Sequence, residues 1–453
     1  MPSESFTALE LQQVAGLFCE GMALKDIVST LPGRNESDIW QMLQRALREG
    51  YFHYQPVLSI NNMSKELQDF LNNETLTKTI AEALSETLEL RHISIRITRS
   101  PERMFECYQH EPITDQDKYR EYLKAESASL EIIGRRVATE LSRRLFDGKQ
   151  HIVGVNYGAS VLLAARQLFP LPSQVPQMLT VVSLFGDIGY HIAESPLPLL
   201  KGNVPLASND IVALLANRLG PMTKAELLNV PAFIPYEFTS NIDTFNNIHN
   251  FLTSHSSYIR IFGAPNSDHK FRNPDALVSN MDTLLSGFGS ADNYTVLQSF
   301  LPAWLSTDET ETIMEYCHSG AIVGDIGGHL VTSPLWSGNT RSLNQFLARI
   351  NQRLIAANPI DFLNVADRYA KNRNAGAGVV GIAAGGRKAR ILHALLAQER
   401  CPLSMLFIDT FCALALLNLI DSNGYQALIR SEASGITSNR QQWSAGTKRL
   451  LSM

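Results

Sequence analysis

Residues 379–413 hold the densest set of groups that could do chemistry. A strand-length apolar run, Val379-Val380-Gly381-Ile382-Ala383-Ala384, leads into Gly385-Gly386-Arg387-Lys388. A helix-length segment follows, and a second apolar run from Leu403 ends on Asp409. The order is strand, loop, helix, strand, with the polar groups at strand ends, where open parallel sheets hold their ligands. Gly385 and Gly386 let a ligand approach the backbone. Arg387 and Lys388 stand at a helix N-terminus, where free amides, helix dipole and side-chain charge all favour an anion. The same residues also fit a plain helix start covered by solvated cations.

A second candidate is the run His151-Ile-Val-Gly-Val-Asn-Tyr-Gly158-Ala159-Ser160, which passes from strand through a glycine turn into a helix over 161–169. Amides at Gly158 and Ala159, with the Ser160 hydroxyl, could cradle a phosphate, although a bare strand-to-helix turn reads the same way. Further strand-plus-glycine units are predicted at 179–184 with Gly186, 258–262 with Gly263, 283–285 with Gly287 and Gly289, and 321–323 with Gly324 and Asp325. Helical segments at 210–219 and 343–356 alternate with them. A long helix over 117–146 repeats Leu130, Ile133, Val137, Leu141 and Leu145 at steps of three and four. The alternation predicts an α/β fold with a doubly wound, mostly parallel sheet.

The first 58 residues follow another rule. Helical periodicity covers 9–20, 24–31 and 35–49, with Pro32-Gly33 in the turn and Asn35 as an N-cap, and residues 51–58 are strand-like. Two short helices and a third after a glycine turn are the layout of a winged helix-turn-helix, whose last helix enters the major groove, and also of any small three-helix bundle. Arg34, Asn35, Glu36, Ser37, Gln41 and Arg45 are the candidate DNA contacts. Four basic residues stand against seven acidic ones over 1–58, leaving about −3, the wrong sign for gripping phosphates. Glu36 and Asp38 suit the helix dipole but repel DNA.

Composition narrows the classes. The chain has 453 residues and a net charge of −5, so it carries no overall basic footprint. Its five cysteines form no Cys-x-x-Cys pair, which points to free thiols in a reducing cytoplasm and away from disulfides or zinc. No apolar stretch is long and uninterrupted enough for a membrane span. Gly376-Ala-Gly378-Val-Val-Gly381 matches a dinucleotide fingerprint by letter, but its glycines precede the strand they should follow. Adjacent Cys317 and His318, read as extended chain, point to opposite faces and make a poor nucleophile–base pair. No His-Glu-x-x-His and no Gly-x-Ser-x-Gly is present, so no metal, cofactor or hydrolase elbow is expected.

Taken together, the head and the glycine loops resemble the SorC family of sugar-responsive bacterial transcriptional regulators. Residues 14–57 resemble its helix-turn-helix, 153–160 its first effector loop, 282–290 its Asp-x-x-x-x-Gly-x-Gly segment, 324–326 its Gly-Asp-Ile, and 379–413 its closing block. The resemblance implies an N-terminal DNA-binding domain, an effector domain similar to phosphosugar isomerases, and homotetramers whose DNA affinity shifts when a sugar or sugar phosphate binds. By position it implies an effector site of Gly158, Ala159, Ser160, Gly287, Gly289, Asp325, Lys388 and Asp409. The chain departs from the family where Ala159-Ser160 replaces a usual Arg-Thr, where Lys388 comes one residue early, and where both recognition-helix arginines are lost.

The expectation is therefore a helix-turn-helix domain over 1–58, a linker over 59–76, an effector domain over 77–431 and a polar tail over 432–453. It is a cytoplasmic, ligand-gated regulator of carbohydrate metabolism, not an enzyme, whose partners are operator DNA, a sugar or sugar phosphate, and further copies of itself as dimer or tetramer, with no membrane. Two alternatives stay open. One is an effector-binding scaffold that has lost direct DNA recognition and acts through a protein partner. The other is a sugar-phosphate isomerase or deaminase, for which Asp325 or Asp409 would be the base.

Overall fold

The computed structural model describes residues 6–19, 24–31, 33–48, 81–86, 93–98, 116–147, 149–168, 178–188, 207–239, 241–264, 273–291, 304–374 and 376–421. The strand expected over 51–58, the linker and the tail lie outside them. Two compact units are present, one of the N-terminal helices and one of the body from residue 81 onward.

The first unit contains helices α1 (Ala8–Cys19), α2 (Leu24–Thr30) and α3 (Glu36–Arg48). They bury Leu11, Val14, Ala15, Ile27, Ile39, Met42, Leu43 and Ala46 in one cluster. Each long helix starts on a reciprocal cap. Thr7 and Glu10 exchange backbone-to-side-chain bonds of 2.8 and 3.2 Å, and Asn35 and Asp38 do the same at 2.9 and 3.0 Å. Gly33, at φ 84°, makes the turn before α3.

The body is built on a seven-stranded parallel sheet. Its strands are β1 (Ser94–Thr98), β2 (His151–Val155), β3 (Leu179–Ser183), β4 (Thr223–Glu226), β5 (Thr283–Gly287), β9 (Gly378–Ala383) and β10 (Met405–Asp409), in the order β1-β10-β9-β5-β2-β3-β4. Every pairing in it is parallel. From β2 the chain winds outward through β3 and β4, and β5 then returns to the other flank of β2, so the winding reverses between β2 and β5. Such a reversal opens a crevice beyond the carboxyl ends of the two strands.

Neighbouring residues along the strands enter different cores. Val379, Leu284, Leu406 and Ile408 belong to one cluster, and Val380, Leu285, Met405 and Phe407 to another. The second cluster takes in α4 (Gln116–Leu145), α5 (Ala159–Gln167) and α6 (Ser208–Leu219). The first takes in residues of α7 (Ile242–Thr253), α8 (Ser256–Phe262), α9 (Leu277–Asn280) and three helices nearer the C-terminus. With both faces covered, the strands read as unbroken apolar runs instead of alternating ones. This is the doubly wound arrangement that the sequence predicted.

Two predicted strands come out differently. Residues 258–262 form α8, not a strand. Its Tyr-Ile-Arg-Ile-Phe composition favours β structure, but the His255 side chain accepts the Ser257 N–H, Ile261 and Phe262 are buried together, and Gly263 at φ 86° closes the helix. Tertiary packing overrides the local preference. Residues 321–323 contribute to β7 (Ile322–Ile326), which lies outside the parallel sheet. It pairs antiparallel with β6 (Gly289–Ser290) and β8 (His329–Thr332). Gly327 and Gly328, both at positive φ, form the two-residue turn that such a hairpin favours. Cys317 and His318 close helix α10 (Thr307–His318) and are not extended, so the opposite-face argument does not apply to them. Helix α11 (Thr340–Asn351) packs with α10 around the small sheet, and α12 (Pro359–Lys371), α13 (Ala389–Leu396) and α14 (Thr410–Ile420) complete the first core. Among the described residues no helix is long and apolar enough to cross a membrane.

Candidate ligand site at the strand ends

The polar groups of the body gather at the carboxyl ends of β2, β5, β9 and β10, which are neighbours in the sheet. After β2 come Asn156, Tyr157 and Gly158. The Asn156 amide N–H donates to the Leu285 carbonyl at 3.0 Å, tying this turn to β5. Its side-chain Nδ2 donates to Ser286 Oγ at 3.2 Å, and Ser286 Oγ donates onward to the Gly287 carbonyl at 3.0 Å. With Ser286 donating to Gly287 and the Asn156 Nδ2 facing Ser286, Asn156 Oδ1 is a buried acceptor with no hydrogen-bond partner.

Gly158 stands at φ 113°, ψ 162° before α5, and no side chain caps that helix. A Cβ at Gly158 would meet nothing within 4 Å, so the turn opens onto free space. Gly287 lies opposite, where an added Cβ would stand 3.4 Å from Ser160 Cβ and 3.5 Å from its Oγ. The fold thus brings Gly158, Ala159 and Ser160 against Gly287, with an uncapped helix start directed at the opening.

Asp325 reaches the same edge from β7. It is buried, and its Oδ2 accepts the Tyr157 hydroxyl at 2.7 Å and the Gly328 N–H at 3.2 Å. Burial raises its carboxyl above the ordinary range, against those two bonds and the nearby Lys388 charge. A Cβ on Gly289 would fall 1.6 Å from Asp325 Oδ1, so any larger residue there would displace the buried carboxyl. Next to it His329 is buried, and burial lowers it to about 4. It is therefore neutral, its Nε2 donates to the Ala357 carbonyl at 2.9 Å, and its Nδ1 is a second buried acceptor without a partner.

The closing turn is tied to three other parts of the fold, although Arg387 Nε has no hydrogen bond. Gly385 N–H donates to Asp409 Oδ1 at 3.1 Å, and Gly386 opens a single 3-10 turn through Lys388. Asp409, fully buried, also accepts from the Ser129 hydroxyl at 2.6 Å and from the Cys412 N–H at 2.8 Å, which makes it the N-cap of α14. Burial raises its carboxyl as well. Arg387 donates to Glu126 Oε2 at 2.8 Å and lies 4.8 Å over the Tyr122 ring. Lys388 Nζ donates to the Phe288 carbonyl at 2.7 Å.

In the head, Ser37, Gln41 and Arg45 fall at steps of four and are exposed along one line of α3, opposite its buried stripe. Arg34 is held by Glu10 at 2.6 Å and covers the Phe6 ring at 5.3 Å. Bonds from Thr7 and Arg34 lower the Glu10 carboxyl to about 2. Asn35 is used as the cap of α3, and Glu36 is its first residue.

Several residues of this constellation escape a reading of sequence. Asn156 and Tyr157 follow directly on an apolar run, a polar pair at a strand end that could have been singled out. Tyr122, Glu126 and Ser129 lie at steps of four and three on α4, a buried polar stripe beside the apolar one. Nothing local marks His329. Among the described residues no group of His, Cys, Asp or Glu could hold a metal ion.

A parallel sheet wound both ways, with glycine turns and buried carboxyls at its carboxyl edge, defines a doubly wound α/β fold. No protein-family model matches the sequence, and no curated protein does. Among solved structures the chain is similar to a DeoR family transcriptional regulator from Listeria monocytogenes, at 17% identity over 75% of this chain and 99% of that one, with a TM-score of 0.46. It is similar to a probable sor operon regulator from Shigella flexneri, at 16% identity over 75% and 99% and a TM-score of 0.47. The full-length sorbitol operon regulator SorC from Klebsiella pneumoniae gives 16% identity over 91% and 100%, also with a TM-score of 0.47. Likeness at this level concerns the path of the chain and not its activity.

Proposed function

We propose that the protein is a ligand-responsive transcriptional regulator of carbohydrate metabolism, in which the strand-end crevice takes a small polyhydroxylated ligand and α3 reads operator DNA. One observation carries the reading. A three-helix unit that presents Ser37, Gln41 and Arg45 on an exposed line is joined in one chain to an α/β body whose glycine turns meet at a winding reversal. In the body, Gly158, Ala159, Ser160, Gly287, Gly289 and Asp325 line or support the crevice, and Gly385, Gly386, Arg387, Lys388 and Asp409 fix its far wall.

The same geometry disfavours turnover. An isomerase or deaminase needs a general base that can reach its substrate. Asp409 is fully buried with both oxygens held by protein donors, and the Asp325 Oδ2 is occupied by Tyr157 and Gly328. Binding without chemistry is the better account.

The head favours weak non-specific DNA binding. Arg34 donates to Glu10, Arg45 stands on the exposed line of α3, and the operator complex would depend on several copies binding together. The test is a gel-shift titration against DNA upstream of the protein's own gene, at low and moderate salt, with and without a sugar panel. The expected result is a retarded complex whose affinity changes about 5–150-fold with one ligand. No complex at low salt would leave the partner-scaffold reading.

A further inference from the structure

We infer that the crevice selects an uncharged polyhydroxylated ligand over its phosphate ester. The inference rests on the reading of the strand ends as a ligand site and adds the class of ligand. A phosphate group only accepts hydrogen bonds and carries charge, so a pocket built for it presents cations and unused donors. The two cations at the described strand ends are already committed within the fold. Arg387 donates to Glu126, itself buried, and stacks on Tyr122 of α4. Lys388 is buried with its ammonium on the Phe288 carbonyl. Glu126, Asp325 and Asp409 are all buried along the same edge, so an arriving dianion would meet carboxyls whose compensating partners are in use.

Among the described residues the unmet groups are of both polarities, which suits hydroxyls and not a group that only accepts: beside the donors at the uncapped start of α5 and Arg387 Nε, two atoms accept. Asn156 Oδ1 and His329 Nδ1 are buried acceptors without partners, and both belong to the surroundings of the Gly327-Gly328 turn. A Cβ on Gly327 would lie 3.4 Å from Asn156 Oδ1, and His329 follows Gly328 directly. Neither atom can bind a phosphate oxygen, but each can accept from a ligand hydroxyl. A hydroxyl both donates and accepts, so it can serve these acceptors and also take the Ser160 hydroxyl or the amides at the start of α5. Burying an acceptor without a donor is costly, and a ligand that brings donors recovers that cost on binding.

Matched pairs test the inference on the full-length protein: hexoses, pentoses and hexitols, each beside its phosphate ester, with inorganic phosphate alone as a control. Thermal shift finds the binding pair and calorimetry gives its two dissociation constants. The uncharged member should bind at least about tenfold more tightly than its ester, and inorganic phosphate should not stabilise. Glu126→Gln should free Arg387 and raise affinity for the ester about fivefold or more while leaving the uncharged member unchanged. An ester that binds as tightly as its parent, or stabilisation by inorganic phosphate, would overturn the inference and leave the ligand site standing. Silence from every pair would instead remove the site reading itself. Unchanged affinity for the ester in both Glu126→Gln and Glu126→Ala would show that Arg387 is not what excludes phosphate, and would likewise overturn the inference.

Discussion

The two edges of the parallel sheet treat buried polar groups in opposite ways. At the amino edge His151 opens β2, with Nδ1 3.0 Å from Asp282 and Nε2 2.9 Å from Asp147. Asp282 Oδ2 also accepts the Ile152 N–H at 3.3 Å, and Lys149 lies 3.3 Å from Asp147. Charge meets opposite charge there, and of the His151, Asp147 and Asp282 side chains only Asp282 Oδ1 lacks a hydrogen bond. At the carboxyl edge two neutral acceptors have no partner, a helix start has no side-chain cap, and Gly158 faces open space. Paired groups hold the folded chain together, whereas unpaired ones are held at some cost to stability, which under the proposed function a ligand would offset.

Asp409 is the exception at the carboxyl edge, and it offers the strongest test of the contrast. If it is structural, Asp409→Ala should cost about 3–5 kcal/mol in urea denaturation, because it removes a helix cap and leaves the Ser129 and Gly385 donors unmet. A cost below about 1 kcal/mol would place Asp409 with the ligand-directed groups.

The amino edge should show itself through pH. Burial alone would lower His151, but Asp282 and Asp147 outweigh it and raise the imidazole above its ordinary 6.5. A raised folded-state value means that the contribution is complete below 6.5 and is lost as pH rises through the folded value. The melting temperature should therefore fall as pH is raised from about 6.5, and His151→Gln should flatten that slope while costing about 2 kcal/mol at pH 6. A variant with the same slope as the parent protein would show that the triad does not set it.

Asn156→Leu should behave differently. It removes an unmet acceptor together with one hydrogen bond, so stability should stay within about 1 kcal/mol, while ligand binding weakens about tenfold. A large loss of stability measured by the same denaturation would return Asn156 to the structural class. The smallest effect belongs to the head. Arg45→Gln should leave stability within about 0.5 kcal/mol and lower the salt slope of DNA binding by about 0.9, read from titrations at several salt concentrations.

The strands β2, β3, β5, β9 and β10 and helices α1 to α6 were legible as runs and periodicities, because both depend on residues close in sequence. The strand over 258–262 was misread for the same reason, since its aromatic and branched residues favour β structure until long-range packing makes them helical. The Gly324-Asp325 segment was legible as a strand ending in a glycine and an acid, but its sheet was misassigned, because strand partners are chosen across a distance that local pattern does not encode.

What the sequence by itself determined is the alternation of strand and helix, the three helices of the head with the Asn35 cap, and the glycine turns at strand ends. These follow from side-chain periodicity, backbone freedom at glycine and local capping. Only the tertiary structure decided the state of the charges. Arg387 and Lys388 are adjacent in sequence and looked alike, a pair of cations free for an anion. The fold sends one to Glu126 on a helix some 260 residues earlier and the other to the Phe288 carbonyl about 100 residues earlier. A charge acts through whatever lies within a few ångströms of it, and neighbours at that range are set by chain crossings that no local pattern records.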